Sequence, residues 1–267
     1  MQITLFTSND LRHSYLIKFL ANFCDKLFVI QESKTFLSEI KNAKKQNSKI
    51  LENYLKKVTK AQNKIFKGEL INKNNKKIKI LPILFGDLNK LSLSKLKEFL
   101  NSDIYIVYGS SYIKGDLIEL LVKKKAINIH AGVSPYYRGA GCNFWALYDG
   151  NPHLVGSTIH LLSKGLDSGP ILYHAMSNLK TNPFEYTMST VKSAFHSIGE
   201  RIKDSSIFEI KPIFQDKNKE IRYSKKNHFN EDIVKEYFRR EINLNSKNFD
   251  NSLLREPFYL KKKDVFV

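Results

Sequence analysis

Short apolar runs alternate along the chain with stretches whose apolar positions recur at helical spacing. Ile3 to Phe6 reads as a first strand; Thr7-Ser8-Asn9-Asp10 then offers capping side chains, and Leu11, Tyr15, Leu16, Phe19 and Leu20 follow on one helical face. Leu27 to Ile30 is a second buried strand. From Phe36 to Phe66, Leu37, Ile40, Leu51, Leu55, Val58 and Ile65 recur at helical intervals with lysines between them, which predicts a long solvated helical arm. Strands are expected over Ile78 to Phe85, Asp103 to Gly109, Ala126 to His130, Val155 to Leu162 and Ile171 to Ala175. Helices are expected over Leu93–Leu100, Asp116–Lys124, Asn143–Tyr148 and Phe184–Lys203. Beyond about residue 205 the pattern weakens into a polar tail with one helix near Asp232–Arg240. This alternation predicts an α/β fold, a Rossmann-like and mostly parallel sheet flanked by helices. The core spans 1–204 and a small C-terminal extension 205–267.

Composition narrows the class. The chain has 267 residues, 42% hydrophobic and 26% charged, enough apolar surface for a core and too much for disorder. No apolar run approaches the roughly 18–20 residues of a membrane span. The start, Met1 to Phe6, lacks a basic leader and a small-residue cleavage site, so no secretory signal is expected. Two cysteines, Cys24 and Cys142, make neither a disulfide framework nor a zinc cluster, which fits a reducing cytoplasm and no metal.

A formal charge of +18 raises nucleic acid as a partner, yet only 7 of the 44 basic residues are arginine, the better fork for phosphates and bases. A lysine-rich solvated surface is the favoured reading, attraction of an anionic small substrate is the second, and a nucleic-acid partner is disfavoured. No Gly-x-Gly-x-x-Gly follows the first strand and no Walker loop occurs, which disfavours a dinucleotide cofactor and nucleoside triphosphate hydrolysis.

In open α/β sheets, ligands bind at the carboxyl ends of the strands. Asn128 and His130 stand at such an end, two residues apart and therefore on one face. The loop Ala131 to Gly141 follows, with turns at Pro135 and Gly139 and with Tyr136, Tyr137 and Arg138 for stacking and charge. A second cluster is Gly165-Leu166-Asp167-Ser168-Gly169-Pro170. Taken singly, His130 reads as an ordinary hydrogen-bonded histidine and Asp167 as a turn residue.

Taken together, the motifs say more. Asn128-Ile129-His130, Ser134-Pro135-Tyr136-Tyr137-Arg138-Gly139, Trp145-Ala146-Leu147-Tyr148-Asp149-Gly150, Gly156-Ser157-Thr158-Ile159-His160 and Gly165 to Leu172 occur in one order. In that order and spacing the chain resembles the folate-dependent N-formyltransferase family, firmly from Asp103 to Ala175 and loosely before Ser102. The resemblance implies a catalytic triad of Asn128, His130 and Asp167. It implies 10-formyltetrahydrofolate as formyl donor, with a pterin pocket from Tyr108, Gly109, Ser110, Ser111, Tyr112 and Ile113 and from Gly165 and Leu166 before Asp167. One departure stands out: where many members read His-x-Ser-Leu-Leu-Pro, this chain reads His130-Ala131-Gly132-Val133-Ser134-Pro135.

The chemistry fits those residue types. An amine attacks a formyl carbonyl, and the Asn128 amide and a protonated His130 can donate to the oxygen as charge develops. An imidazole with an ordinary pKa of about 6.5 also suits proton removal from the amine, and Asp167 can orient the ring. Whether His130 serves as base or as donor is open at this level. Within the family, the run Ser134 to Gly139 with Asn143-Phe144-Trp145 looks most like the members that act on nucleotide-linked amino sugars of surface polysaccharides. On that reading the acceptor is an anionic amino sugar. Tyr136, Tyr137, Arg138, Phe144 and Trp145 would contact it, with Arg12 and His13 at a helix N-terminus for phosphate. The competing readings are core packing for Trp145, a solvated first turn for Arg12 and His13, and a methionyl-tRNA or other amine acceptor. A non-catalytic relative binding nucleic acid is a third. Apolar patches in the C-terminal third are compatible with a homodimer.

Overall fold

A computed structural model describes residues 1–34, 43, 47–67, 75–240, 242 and 244. The first part of the expected arm, including Leu37 and Ile40, lies outside the described residues. Among them are strands β1 (Gln2–Ser8), β2 (Lys26–Ser33), β3 (Ile78–Leu84), β4 (Ile104–Tyr108), β5 (Ile127–His130), β6 (Tyr137–Gly139), β7 (Ser157–Leu161), β8 (Ile171–Ala175) and β9 (Arg222–Ser224). The helices are α1 (Leu11–Leu20), α2 (Lys49–Phe66), α3 (Leu93–Leu96), α4 (Gly115–Lys123), α5 (Cys142–Tyr148), α6 (Pro183–Lys203) and α7 (Glu231–Arg239).

Seven strands form the main sheet in the order β3-β2-β1-β4-β5-β7-β8. The first five run parallel, whereas β5–β7 and β7–β8 pair antiparallel, so the sheet is mostly parallel. Side chains of β4 alternate between two cores, as period two demands. Ile104, Ile106 and Tyr108 join α1 and α6 on one face, while Tyr105 and Val107 join Leu96, Leu117 and Leu121 on the other. Strands buried on both faces explain the continuous apolar runs of the sequence.

A third core lies beside the sheet. Tyr136, Tyr137, Trp145 and Leu147 pack there with Tyr237 from α7. The polar tail docks onto this core rather than trailing from it. Strand β9 pairs with β6, and the Arg222 guanidinium forks onto Asp149 (2.8 and 2.7 Å) while stacking 4.5 Å over the Trp145 ring. Gly139 makes this approach possible: its φ is +90°, and a Cβ there would stand 2.1 Å from the Ser224 carbonyl oxygen. No helix among the described residues is long and apolar enough to cross a membrane.

Candidate active site

A cavity of about 350 Å³ opens at the carboxyl ends of β4 and β5. Asn128 and His130 reach it from β5, and Asp167 from the loop between β7 and β8. Asp167 Oδ1 stands 3.3 Å from His130 Nδ1, both side chains being almost fully buried. The loop holding Asp167 takes a left-handed turn at that residue (φ 47°), a conformation aspartate tolerates better than most side chains. Three contacts fix it. The Gly139 amide donates to the Asp167 carboxylate, Arg138 Nη2 donates to the Leu166 carbonyl (2.9 Å), and Gln215 Nε2 donates to the carbonyls of Asp167 (2.9 Å) and Gly169 (2.8 Å).

Charge is distributed unequally among the histidines. Burial is the largest influence on His130 and opposes its charged form, but the Asp167 carboxylate, with the Cys142 sulfur adding to it, holds its pKa well above 6.5. Burial likewise works against the Asp167 carboxylate, and His130 overcomes it, so this pKa lies below 3.8. The two therefore form an ion pair at neutral pH. His130 Nε2 is buried and makes no hydrogen bond of ordinary geometry, the Cys142 side chain being its polar neighbour. His160 is the opposite case, pushed down to about 4 by burial and hence neutral. Its Nδ1 is 2.8 Å from the Leu161 carbonyl, which leaves Nε2 as the acceptor for Asn128 Nδ2 at 2.9 Å. That bond orients the Asn128 amide and leaves its second N–H for a ligand.

The remaining expected residues divide cleanly. Tyr108, Gly109, Ser110, Ser111, Tyr112, Ile113, Gly165 and Leu166 all line the cavity, as do Arg12 and His13. His13 forms part of the cavity floor. Burial first, then Arg12, lower its pKa well below 6.5, and the Ser8 amide donates to its Nδ1 (3.3 Å). Gly109, at φ +67°, covers the ring so closely that a Cβ would lie 2.4 Å from His13 Cε1. Arg12 donates to Gln62 Oε1 (2.6 Å) and pairs with Asp10 (3.4 Å).

Tyr136, Tyr137, Arg138 and Trp145 line no cavity described here. Trp145 is 2% exposed within the third core, and the Tyr137 hydroxyl is tied to Asp149 (3.3 Å) and Asn151 (2.8 Å). Arg138 pairs with Glu220 (3.0 Å). These four build the scaffold behind the Asp167 loop because tail and loop need each other's apolar faces. Of the aromatic group, Phe144 does line a second cavity of about 220 Å³, with Tyr54, Leu147, Phe184, Met188 and Tyr237. That cavity shares Arg12, Tyr108 and Ala131 with the first.

Sequence reasoning assigned no site role to His160 or Cys142 and read Gly139 only as a turn residue. No sequence pattern marks the place of His160, whose seat opposite Asn128 follows from the antiparallel β5–β7 register. The missing hydroxyl at position 132 also has a steric reason. A Cβ on Gly132 would lie 2.4 Å from Cys142 Cβ and 2.6 Å from His130 Nε2.

Residues 91–205 match the formyl transferase family, and Asn128, His130 and Asp167 all lie inside the matched segment. The methionyl-tRNA formyltransferase of Trichormus variabilis is 34% identical over 84 residues, 32% of this chain and 25% of that protein. The chain thus spans about a quarter of the length of that relative. Among solved structures, an N-formyltransferase from Helicobacter canadensis, in complex with folinic acid and dTDP-3-aminofucose, superposes with a TM-score of 0.51. It is 14% identical, with 88% of this chain and 79% of that one covered. Glycinamide ribonucleotide transformylase 1 from Symbiobacterium toebii gives a TM-score of 0.51 at 13% identity, covering 81% and 94%. At these identities the structural likeness establishes the fold.

Proposed function

We propose that this chain transfers a formyl group from 10-formyltetrahydrofolate to the amine of a nucleotide-linked amino sugar, as a cytoplasmic enzyme without a metal. The observation that carries this reading is the buried His130–Asp167 pair, 3.3 Å apart, which holds an imidazolium in the cavity that Asn128 also lines. His130 Nε2 lacks a hydrogen bond of ordinary geometry, and Asn128 keeps an N–H beyond its bond to His160. A buried donor without a full hydrogen bond costs roughly 1–3 kcal/mol, so the pair of donors is set for an acceptor oxygen that arrives with the ligand.

The cavity walls suit a flat heteroaromatic group. Val107, Ile113, Ile118, Leu162 and Leu166 supply apolar surface, and the backbone of 108–113 and 163–167 supplies edge donors and acceptors. When bound, the folate supplies the activated formyl carbon. On the protein side, Asn128 and His130 would donate to the formyl oxygen as negative charge grows on it. Meanwhile the amine nitrogen bonds to the formyl carbon, the bond from that carbon to the donor nitrogen breaks, and the proton lost by the amine passes to that leaving nitrogen. Asp167 keeps the proton on His130 Nε2, so a donor role follows from the raised pKa where an ordinary imidazole would favour a base. The second cavity would take the acceptor. Its edge-to-face rings, Tyr54 with Phe144 (5.6 Å) and with Phe184 (5.3 Å), offer stacking to a base or sugar face. The two cavities share Arg12, Tyr108 and Ala131 as lining, and an amine would approach Asn128 and His130 from that side.

The curated relatives favour a second reading, a methionyl-tRNA acceptor. One screen separates them. The protein is mixed with 10-formyltetrahydrofolate and either a panel of nucleotide-linked amino sugars or charged initiator tRNA, and products are weighed by mass spectrometry. A sugar that gains one carbonyl supports the proposal. Formylation of the tRNA alone replaces it.

A further inference from the structure

Glu32 is a carboxylate that no step above uses. It lies at the carboxyl end of β2, is 0% exposed and lines neither cavity. Its Oε1 accepts from the Gly86 amide (2.8 Å) and the Ser111 hydroxyl (2.7 Å), and its Oε2 accepts from the Ser111 amide. Gly86 belongs to the turn after β3, and Ser111 to the segment after β4 on the far side of β1. One side chain therefore ties together three strand ends across the carboxyl edge of the sheet. A buried charge is costly unless its lone pairs are filled, and here two amides and a hydroxyl fill them.

The segment that receives this anchor is Ser110 to Ile113, a wall of the larger cavity. It has no helix or strand bonds of its own. Its shape comes from outside: from Glu32, from Asn89, whose Nδ2 donates to the Tyr112 carbonyl (2.8 Å) and whose Oδ1 accepts from the Lys114 amide (2.7 Å), and from the Tyr112 hydroxyl, which donates to the Lys164 carbonyl. Among these anchors Glu32 is the buried and charged one.

We infer that Glu32 is a positioning residue for the formyl donor: through Ser111 it holds the wall 110–113 in the shape that receives the pterin, so donor affinity depends on a side chain that never touches the donor. This rests on the reading of the larger cavity as the folate site. Wild type and Glu32→Gln are titrated calorimetrically with 5-formyltetrahydrofolate, and amide hydrogen exchange is followed over 109–113 in both apo proteins. Glutamine keeps the size but retains at most two of the three contacts, whichever way its amide turns. The expected result is a Kd raised roughly ten- to hundredfold, faster exchange at Ser111, a higher KM for the donor and a kcat within about twofold at saturation. Asn89→Ala, at the exposed anchor of the same segment, is expected to weaken binding in the same direction by a smaller factor, which keeps the test decisive if Glu32→Gln folds poorly. Unchanged affinity in both variants, or a fall in kcat at constant Kd, overturns the inference while the folate reading stands. A wild-type protein that does not bind 5-formyltetrahydrofolate overturns the folate reading and this inference with it.

Discussion

Replacing Asp167 by asparagine separates the charge of the site from its shape. Asparagine has nearly the same size, tolerates the left-handed backbone of that position, and still offers an oxygen to the Gly139 amide. What disappears is a negative charge 3.3 Å from His130 Nδ1. At an effective dielectric of about 20, a pair of unit charges at that separation interacts by about 5 kcal/mol. Burying a cation costs several kcal/mol, so the carboxylate is the weight that tips His130 toward the imidazolium. Without it burial wins, and the ring becomes neutral at pH 7, as the neighbouring His160 already is with a pKa of about 4.

The assay is single-turnover formyl transfer from about pH 5 to 9 in both proteins. If His130 acts as a protonated donor, wild-type activity falls on an alkaline limb above 6.5, where the ring loses its proton. In Asp167→Asn that limb moves below 6.5, and the rate near pH 7.5 drops by roughly 10²–10⁴-fold. Stability gives an independent readout. The raised His130 contributes fully below 6.5 and its contribution is lost as pH rises through the folded value. The depressed Asp167 contributes above 3.8 and its contribution is lost as pH falls through its folded value. The Tm difference between the two proteins is therefore widest between 3.8 and 6.5 and narrows on both sides. An Asp167→Asn enzyme with an unmoved alkaline limb and a rate within about tenfold of wild type would refute the reasoning.

Two further predictions concern the frame of the site. Burial pushes His174 down to about 3 while its Nε2 donates to the Ser134 carbonyl (2.7 Å). Stability is thus lost as pH falls from 6.5 toward that value, at about 1.4 kcal/mol per pH unit from this group, and Tm should decline less steeply with acidification in His174→Gln. Gly132→Ser adds a hydroxyl but forces its Cβ against Cys142 and His130. Overpacking of this kind costs roughly 1–3 kcal/mol in thermal melts, and the displaced ring should lower kcat at least tenfold; wild-type kcat would show that Cys142 yields instead.

Much of this architecture was legible in the chain, for identifiable reasons. The strands of the main sheet announce themselves because burial on both faces leaves continuous apolar runs such as Ile104 to Tyr108. Pairing direction is a different matter. A run such as Ile171 to Ala175 reads the same whether its neighbour is parallel or antiparallel, so the reversal at β7 and β8 was invisible, and with it the seat of His160 opposite Asn128. Aromatic residues at Tyr136, Tyr137 and Trp145 read as stacking surface for a substrate, with core packing the alternative for Trp145, and the structure buries all three. The reason lay in Arg222, 73 residues from Asp149, and in a three-residue strand too short to alternate visibly. Glu32 was equally silent, since nothing in Gln31-Glu32-Ser33 reveals a partner 79 residues away.

The two cavities also explain why the relatives agree on the chemistry and differ on the acceptor. Every triad residue, and the loops 108–113 and 163–167, lie within the matched segment 91–205. The second cavity, proposed for the acceptor, is built differently. Phe144, Leu147 and Phe184 come from inside that segment, but Arg12, Tyr54, Val58 and Tyr237 come from α1, α2 and α7 outside it. A match confined to 91–205 therefore bears on the donors that meet the formyl oxygen and says little about what presents the amine. Substitutions should divide along the same line: changes at Tyr54 or Tyr237 alter which amine is accepted, whereas changes at Asn128, His130 or Asp167 alter turnover with every amine.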